Sequence, residues 1–214
     1  MPLAVFDLDG TITRHDTLVP YVAGFIARQP WRLLRLPCVL PALLRFAVQR
    51  DRGYLKASLI HWTLGNVLRG DLEAWTARYV PRLLARGVFR QALAQIEAHH
   101  KAGDTLVLMS ASVDLYVPAI GRALGFTETV CTGVHWNGDR LQGQLTTPNR
   151  RGEEKVHCLE ALRSHFAGLS AVAYGNSGSD LPHLKRADQG FLVNGSAGAR
   201  RRAEDLGVRC VNWR

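Results

Sequence analysis

The sequence predicts an α/β fold in which a parallel sheet carries an inserted helical domain, and three observations support this. The chain opens on a short apolar run, Leu3–Phe6, that is typical of a buried parallel strand. Residues 14–86 show an interrupted helical pattern without a convincing strand. After Gly87, strand and helix patterns alternate, which favours a parallel sheet. We therefore expect an α/β core of residues 1–13 and 87–214 and a helical insert between them.

Apolar residues at helical spacing predict four helical segments in the insert, punctuated by glycines. We expect these segments at 16–29, 31–48, 54–68 and 71–84. Pro37 and Pro41 argue against one regular helix over the second segment. Asp71 is expected to cap its helix at the N-terminus, with Asp51 as a weaker cap of the preceding helix.

The rest of the chain alternates between helix and strand patterns, with one hairpin signal at Asn137-Gly138. Helices are expected at 88–101, 114–124, 153–166, near Leu181 and at 197–206. Strands are expected at 105–109, 128–132, 171–174, 190–193 and 208–211. With the first strand, these would form the parallel sheet of the core.

The composition is that of an ordinary folded protein, because 47% of the 214 residues are hydrophobic and 21% are charged. The four cysteines show no CxxC spacing, so neither a zinc site nor a disulfide framework is indicated, and we expect a cytoplasmic protein. The first strand begins almost at Met1, so we expect no signal peptide. The uncharged run Leu36–Leu44 is far shorter than a membrane span.

Positive charge is concentrated in the insert. The net charge is +9, and residues 14–86 hold 12 Lys/Arg against 4 Asp/Glu, while the other residues hold 15 against 14. This asymmetry favours an anionic partner, namely an acidic substrate, a phospholipid surface or a nucleic acid, although a solvated helical face has the same pattern. No aromatic platform or nucleic-acid motif accompanies the arginines, including Arg200–Arg202, so we expect no nucleic-acid partner.

The stretch VFDLDGT places Asp7 and Asp9 directly after the first strand. Ligands bind at the carboxyl ends of strands in open α/β sheets, and neighbouring carboxylates repel unless a cation or a proton resolves the repulsion. The same letters open a calcium loop, but Ile12 stands where that loop needs glycine and Leu18 where it needs glutamate. An ordinary turn is the alternative for this stretch alone.

Further polar groups follow the ends of later strands. Ser110 comes after the second core strand, Lys155 lies in the first turn of a helix, and Asn176 and Asp180 follow another strand. A hydroxyl and an ammonium group suit a phosphate, and side-chain oxygens suit Mg²⁺. Taken singly, each has an ordinary alternative: a helix cap, a solvated lysine, and a turn with an N-cap.

As a set and in this order, DLDGT, SAS, Lys155 and GNSGSD resemble the four motifs of the haloacid dehalogenase (HAD) superfamily of phosphohydrolases. The insert after the first strand resembles that of the phosphoserine-phosphatase-like branch, subfamily IB, and the resemblance covers essentially the whole chain. It implies a Rossmann-like HAD core with a C1-type cap. It also implies Mg²⁺-dependent hydrolysis of a small phosphomonoester through an aspartyl-phosphate.

The resemblance implies a role for each motif residue. Asp7 would be the nucleophile, and Asp9 the general acid for the leaving group and the base for the incoming water. The implied phosphate-binding residues are Thr11, Ser110, Ala111 and Lys155, and the implied Mg²⁺ ligands are Asp7, Asp9, Asn176 and Asp180. HAD phosphatases usually have aspartate where this chain has Asn176, so we expect weaker Mg²⁺ binding. A phosphate-binding regulatory protein with little turnover is the alternative of another class.

The insert leaves the substrate open between two classes. Asp16 lies where phosphoserine phosphatases place an acid that meets the substrate amine, although it is equally a helix N-cap. Ile60 lies near the position of their carboxylate-binding arginine. The segment RQPWRLLRLPCVLPALL resembles the cap segment of phosphatidylglycerophosphatase C-type enzymes. We therefore expect a lipid phosphate, with a phosphoserine- or histidinol-phosphate-type metabolite as the alternative.

The same apolar segment suggests a peripheral contact with an anionic membrane. Arginines flank it on both sides, a pattern that suits an interfacial segment on anionic lipid. These arginines are Arg28, Arg32, Arg35, Arg45, Arg50 and Arg52. The competing interpretation is that Leu33 to Val48 pack the core of the insert itself.

Overall fold

A parallel sheet is the centre of the fold, and the computed structural model describes it together with the rest of residues 1–214. The strands in chain order are β1 Leu3–Phe6, β2 Thr105–Val113, β3 Glu128–Thr132, β4 Val134–Asn137, β5 Arg140–Leu145, β6 Ala171–Gly175, β7 Gln189–Val193 and β8 Arg209–Val211. Six of them form the sheet in the order β3-β2-β1-β6-β7-β8, with every pair parallel. The parallel sheet with helices between its strands confirms the predicted α/β class. Strands β4 and β5 form the predicted hairpin.

The helices follow the predicted pattern, with ends that differ by a few residues. Helices α1 to α9 are Leu18–Ile26, Leu40–Gln49, Arg52–Leu64, Arg69–Arg86, Arg90–Lys101, Val117–Ala123, Glu153–His165, Leu181–Arg186 and Ala197–Asp205, and a 3₁₀ helix spans Pro30–Val39. Strand β2 extends furthest beyond its predicted range. Strand β2 continues to Val113 because its pairing with β3 resumes there after a register shift that begins at Met109.

The central strand β1 positions the candidate site. Its four residues are fully buried, and it pairs with β2 on one side and with β6 on the other. The chain proceeds from β1 outward to β2 and β3 on one side, and through β6, β7 and β8 on the other. The strand order therefore reverses beside β1, and such switch points open a crevice at the carboxyl edge of a sheet.

Apolar side chains pack on both faces of the sheet. On one face, Val5 and Met109 pack in a cluster with Leu159 of α7. On the other, Phe6 belongs to a larger cluster that includes Trp75 of the insert. The insert helices therefore share a core with the sheet. The division of the chain at 13/14 and 86/87 remains a prediction.

The apolar segment from Trp31 to Val48 is not one helix, as its prolines predict. It divides into the 3₁₀ helix, which contains Pro37, and α2, which has a proline in its first turn. The expectation that Leu33 to Val48 pack the core of the insert is wrong, because only Val39 and Ala42 in that range are buried. None of the helices is both long and apolar enough to cross a membrane.

Arg32 explains how this segment is attached although its leucines face outward. The Arg32 guanidinium is buried and donates to the backbone carbonyls of Thr63, at 2.9 Å, and Gly65, at 3.2 Å. These carbonyls lie at the C-terminal end of α3, where a positive charge is favourable. One buried arginine thus holds the 3₁₀ helix against α3.

Of the two predicted helix caps, only the one expected to be weaker is found. Asp51 caps α3, since its carboxylate accepts from the backbone N–H of Tyr54 at 2.9 Å. Asp71 is not an N-cap, because α4 already begins at Arg69 and Asp71 lies in its first turn. The helix begins earlier because the backbone carbonyl of Leu68 accepts from the N–H groups of Asp71 and Leu72.

Replacing the buried arginine should destabilise the fold. In Arg32→Leu, two buried carbonyls lose a charged donor, so the free energy of unfolding in urea should fall by about 1–3 kcal/mol. Arg35→Leu is the matched control, because Arg35 is half-exposed on the same segment. Equal losses in the two variants would contradict the assigned role of Arg32.

Candidate active site

A cleft opens at the carboxyl edge of the sheet, where β1, β2 and β6 end. Its volume is about 590 Å³. Side chains from the loop after β1, the insert, the end of β2, the start of α7 and the loop after β6 line it. Of the predicted site residues, Asp7, Asp9, Asp16, Ala111, Lys155, Asn176 and Asp180 are in this lining. The sheet therefore brings together motifs that are far apart in the sequence.

Lys155 joins two carboxylates at the floor of the cleft. Its ammonium nitrogen lies 2.7 Å from Asp7 Oδ1 and 2.7 Å from Asp180 Oδ1, and all three side chains are buried. The first turn of α7 supplies Lys155, while Asp7 follows β1 and Asp180 follows β6. A buried charge is tolerated only when it is paired, so each of the three groups depends on the others.

The shared ammonium group acts unequally on the two carboxyl groups. Burial raises the pKa of Asp7 to about 7, although Lys155 opposes the shift. Burial would also raise the pKa of Asp180, but the Lys155 charge and hydrogen bonds from Lys155 and Ser177 hold it well below its usual range. Asp180 also accepts from the N–H of Ser177 at 2.9 Å and from its hydroxyl at 2.6 Å. Asp7 is therefore the less stabilised of the two carboxylates.

Thr11 supports Asp7 from the same loop. Its hydroxyl is fully buried and donates to Asp7 Oδ2 at 3.1 Å. The two oxygens of Asp7 thus face different partners, Thr11 on one side and Lys155 on the other. A direct contact between Thr11 and phosphate remains a prediction.

Asp9 is held by residues from both the insert and the core. Its Oδ1 accepts from the N–H of Thr17 at 2.8 Å and from the Thr17 hydroxyl at 2.7 Å, and its Oδ2 accepts from Ser112 at 2.6 Å. Burial raises the pKa of Asp9, and the hydrogen bonds from Ser112 and Thr17 oppose that shift. Asp9 therefore has a fixed orientation and an increased tendency to carry a proton.

Of the two predicted phosphate-binding residues at the end of β2, only Ala111 lines the cleft. Ser110 is fully buried, and its hydroxyl accepts from the N–H of Ser112 at 3.0 Å. The Ser110 hydroxyl thus orders the last part of β2, whose Ser112 contacts Asp9. Phosphate binding by Ser110 and Ala111 remains a prediction.

Asn176 packs directly against the loop that follows β1. A Cβ atom at Gly10 would lie 2.0 Å from the amide nitrogen of Asn176, so only glycine leaves room for this side chain. Gly10 also has a φ of 78°, a left-handed conformation that favours glycine. The DLDGT motif therefore needs its glycine for two separate reasons, close approach and backbone conformation.

Asp16 lies both at the start of α1 and at the cleft. Its carboxylate accepts from the N–H of Leu18 at 3.0 Å, while the N-cap position itself is taken by Thr17. The same exposed side chain lines the cleft. A contact with substrate remains a prediction.

Sequence reasoning missed a group of cationic residues on the insert side of the cleft. Ile60, near the expected position of a substrate-binding arginine, is fully buried in the core, whereas Lys56, one turn earlier on α3, reaches the cleft. Its ammonium group donates to the carbonyl of Ala111 and to Asn149 Oδ1, the latter at 2.6 Å. Burial lowers the pKa of Lys56 to about 8. The only signal in the sequence was the excess of positive charge in the insert.

Residues 4–185 match the model of the haloacid dehalogenase-like hydrolase family. The chain belongs to this family. Protein CicA of Caulobacter vibrioides is 31% identical over 195 residues, which cover 87% of this chain and 83% of CicA. A probable phosphatase of Mycobacterium tuberculosis is 30% identical over 217 residues, which cover 95% of this chain and 72% of that protein. A solved phosphoserine phosphatase with an analogue of its phospho-aspartyl intermediate superposes with a TM-score of 0.67 at 15% identity, covering 98% and 92% of the two chains.

These similarities confirm the predicted HAD family and its phosphoserine-phosphatase-like fold. The family match also confirms that the chain is an enzyme of the hydrolase class. The cleft described above, with the DLDGT loop at its floor, is the candidate active site of this HAD-like hydrolase.

Removing the shared ammonium group should destabilise the protein in a pH-dependent way. Lys155→Met leaves Asp7 and Asp180 buried and unpaired, so the free energy of unfolding near neutral pH should fall by about 3–5 kcal/mol. The loss should shrink as the pH is lowered, because the unpaired carboxyl groups then bind protons in the folded state.

Chemical denaturation of Lys155→Met over a range of pH measures this effect. Lys185→Met is the control, because Lys185 is exposed on α8. A loss of stability that does not change with pH would mean that lost packing, not unpaired carboxylates, is its cause.

Proposed function

We propose that this HAD-like hydrolase is a Mg²⁺-dependent phosphomonoesterase that works through an aspartyl-phosphate on Asp7 and acts on a lipid phosphate. The proposal is carried by the contact between Asp7 and Lys155, a buried carboxylate 2.7 Å from a buried ammonium group at the floor of the cleft. Such a pair places a nucleophile beside the positive charge that a transferring phosphoryl group needs.

In the first step, an Asp7 oxygen forms a bond to phosphorus while the bond from phosphorus to the leaving oxygen breaks. Asp9 gives its proton to that leaving oxygen. The raised pKa of Asp9, caused by burial, favours the protonated form that this step uses. Thr17 and Ser112 keep the Asp9 carboxyl group in one orientation.

In the second step, a water oxygen forms a bond to phosphorus and the bond from phosphorus to Asp7 breaks. Asp9 accepts the proton of this water, so it ends the cycle protonated as it began. The products are the alcohol, inorganic phosphate and the original carboxylate of Asp7. Lys155 can keep its contact with Asp180 while Asp7 changes charge, which limits the cost of that change inside the protein.

The oxygen donors around Asp7 fit Mg²⁺, which takes one or two carboxylates and completes its coordination with other oxygens. The protein has no group of three or more His, Cys, Asp or Glu side chains that could hold a metal ion by themselves. The amide oxygen of Asn176 would therefore have to contribute to a Mg²⁺ site. Its position against Gly10 places it beside the DLDGT loop. Asp7, the Asp9 carbonyl, Asn176 and Asp180 would hold the ion, which supplies positive charge to the phosphate oxygens when bound.

The walls of the cleft support an anionic substrate with an apolar part. Lys56 has no carboxylate hydrogen-bond partner, and other cationic side chains accompany it, namely Arg14, Arg52 and Arg151. Apolar side chains also line the cleft, including Val19, Phe46, Leu55 and Leu59. A lipid phosphate combines a terminal phosphate, further anionic or polar groups and acyl chains. A phosphoserine-type metabolite is the second candidate, because exposed Asp16 could receive its amine.

Phosphate release should require Asp7. The assay measures phosphate release with Mg²⁺ from phosphatidylglycerophosphate, lysophosphatidate, phosphoserine and histidinol phosphate. The kcat of Asp7→Asn should be at least about a thousandfold lower than that of the natural protein, because the amide is a poor nucleophile. Asp205→Asn at the exposed end of α9 should be unaffected. The preferred substrate distinguishes a lipid phosphate from an amino-acid phosphate.

A chelator should abolish the same activity. Activity retained by Asp7→Asn or in chelator would contradict the mechanism. Turnover that is absent in the natural protein and gained by Asn176→Asp would instead mean that the site mainly binds phosphate.

Substrate capture should weaken above about pH 8. Burial lowers the pKa of Lys56 to about 8, so its positive charge is lost as the pH rises through that value. The ratio kcat/KM, which reports ionisations of the free enzyme, should therefore fall for a substrate with a second anionic group.

Lys56→Arg keeps its charge and should remove this alkaline fall, while Lys56→Met should show low kcat/KM at every pH. The exposed Lys101 offers the control variant Lys101→Met. An alkaline fall that persists in Lys56→Arg would contradict the role of Lys56.

A further inference from the structure

The insert exposes a row of large apolar side chains on the 3₁₀ helix and α2. Their exposed fractions range from 39% for Leu36 to 84% for Val48. The residues of this surface, called here the docking face, are Trp31, Leu33, Leu34, Leu36, Leu40, Leu43, Leu44 and Val48. Large contiguous apolar patches on a folded protein mark an interaction site.

Helix α2 presents its apolar stripe away from the protein. Leu40, Leu43, Leu44 and Val48 follow the i, i+3, i+4, i+8 spacing of one helix face, and all four are exposed. The only buried residue of α2 is Ala42. An amphipathic helix in a globular protein normally buries such a stripe, so the stripe of this helix is left without an apolar partner inside the protein.

The docking face is held in place from behind. Buried Arg32 fixes the 3₁₀ helix to the carbonyls at the end of α3, and Val39 is buried between the two helical segments. The exposed leucines therefore belong to an anchored surface that is already formed before anything binds it.

Positive charge accompanies the docking face along the chain. Between Thr17 and Gly70 there are eight Lys/Arg residues and one acidic residue, Asp51. Of the eight, Arg32 is buried, and Arg52 and Lys56 line the cleft. Arg35 lies over the ring of Trp31 at 5.1 Å, and Arg45 lies over the ring of Tyr54 at 4.1 Å, so both cations stay beside the apolar residues. An anionic surface complements this arrangement, whereas a second copy of the same face would bring like charges together.

We propose that the docking face binds the surface of an anionic phospholipid bilayer, with the leucines among the acyl chains and the arginines at the headgroups. The face lies next to the cleft, since Phe46, on the same helix as Leu43 and Leu44, lines the cleft. Docking would therefore bring headgroups close to the cleft. Binding to the bilayer stands on the exposed face alone, and only its link to catalysis rests on the proposed function.

Sedimentation of the full chain with vesicles tests this inference. The natural protein should sediment with phosphatidylcholine vesicles that contain phosphatidylglycerol, and much less with phosphatidylcholine alone. Leu34→Glu/Leu44→Glu should weaken binding at least about tenfold, because it places charge in the apolar face. Arg35→Glu/Arg45→Glu should weaken it similarly and reduce its salt dependence. Leu93→Glu is the matched control, because Leu93 is an exposed leucine on α5 of the core.

Two further measurements keep the test independent of folding and of the proposed function. Circular dichroism, and phosphate release from a soluble aryl phosphate, should be unchanged in Leu34→Glu/Leu44→Glu. Equal vesicle binding by the natural protein and this variant would overturn the inference. A dimer in light scattering that the variant dissociates, without vesicle binding by the natural protein, would also overturn it by making the face an interface between copies.

Discussion

The arrangement of the site depends on one buried ammonium group. Lys155 lies 2.7 Å from a carboxylate oxygen of Asp7 and 2.7 Å from one of Asp180. The other side chains that donate to these two carboxylates, Thr11 and Ser177, are uncharged. Without Lys155, two buried carboxylates would face each other, and their repulsion would favour the uptake of a proton. The central position of β1 makes this triad possible, because β6 and the start of α7 reach the same sheet edge beside it. In the proposed mechanism, this ammonium group also neutralises part of the charge of the phosphate.

Asp9 connects the triad of Asp7, Lys155 and Asp180 to the insert. Its carboxylate is bound by Thr17 from the insert and by Ser112 from the core, so the group proposed to move protons also ties the two parts together. Thr17 in turn accepts from the hydroxyl of Tyr79 on α4 through its backbone carbonyl. The insert supplies three of the cleft's cations, Arg14, Arg52 and Lys56, and most of its apolar side chains. Its outer side carries the docking face.

The fold and the motif residues were predictable, because strand alternation and the DLDGT motif are local signals. The sequence could not show which side of a helix faces the protein: Leu40, Leu43 and Leu44 have the spacing of core residues but are exposed, since buried Arg32 attaches this segment instead. The sequence also could not show that Lys56, and not Ile60, reaches the cleft, because that depends on how α3 packs. Asp71 failed as a cap because the carbonyl of Leu68 begins the helix earlier.

The covalent intermediate is the central claim, and acid quenching during turnover tests it most directly. The protein is mixed with a ³²P-labelled phosphomonoester and quenched within one turnover, and the label is located by peptide mapping. The mechanism predicts label on the peptide that contains Asp7, released by alkali as an acyl phosphate is and absent in Asp7→Asn. Phosphate release at full rate with no label on that peptide at any quench time, or with label on another residue, would contradict it.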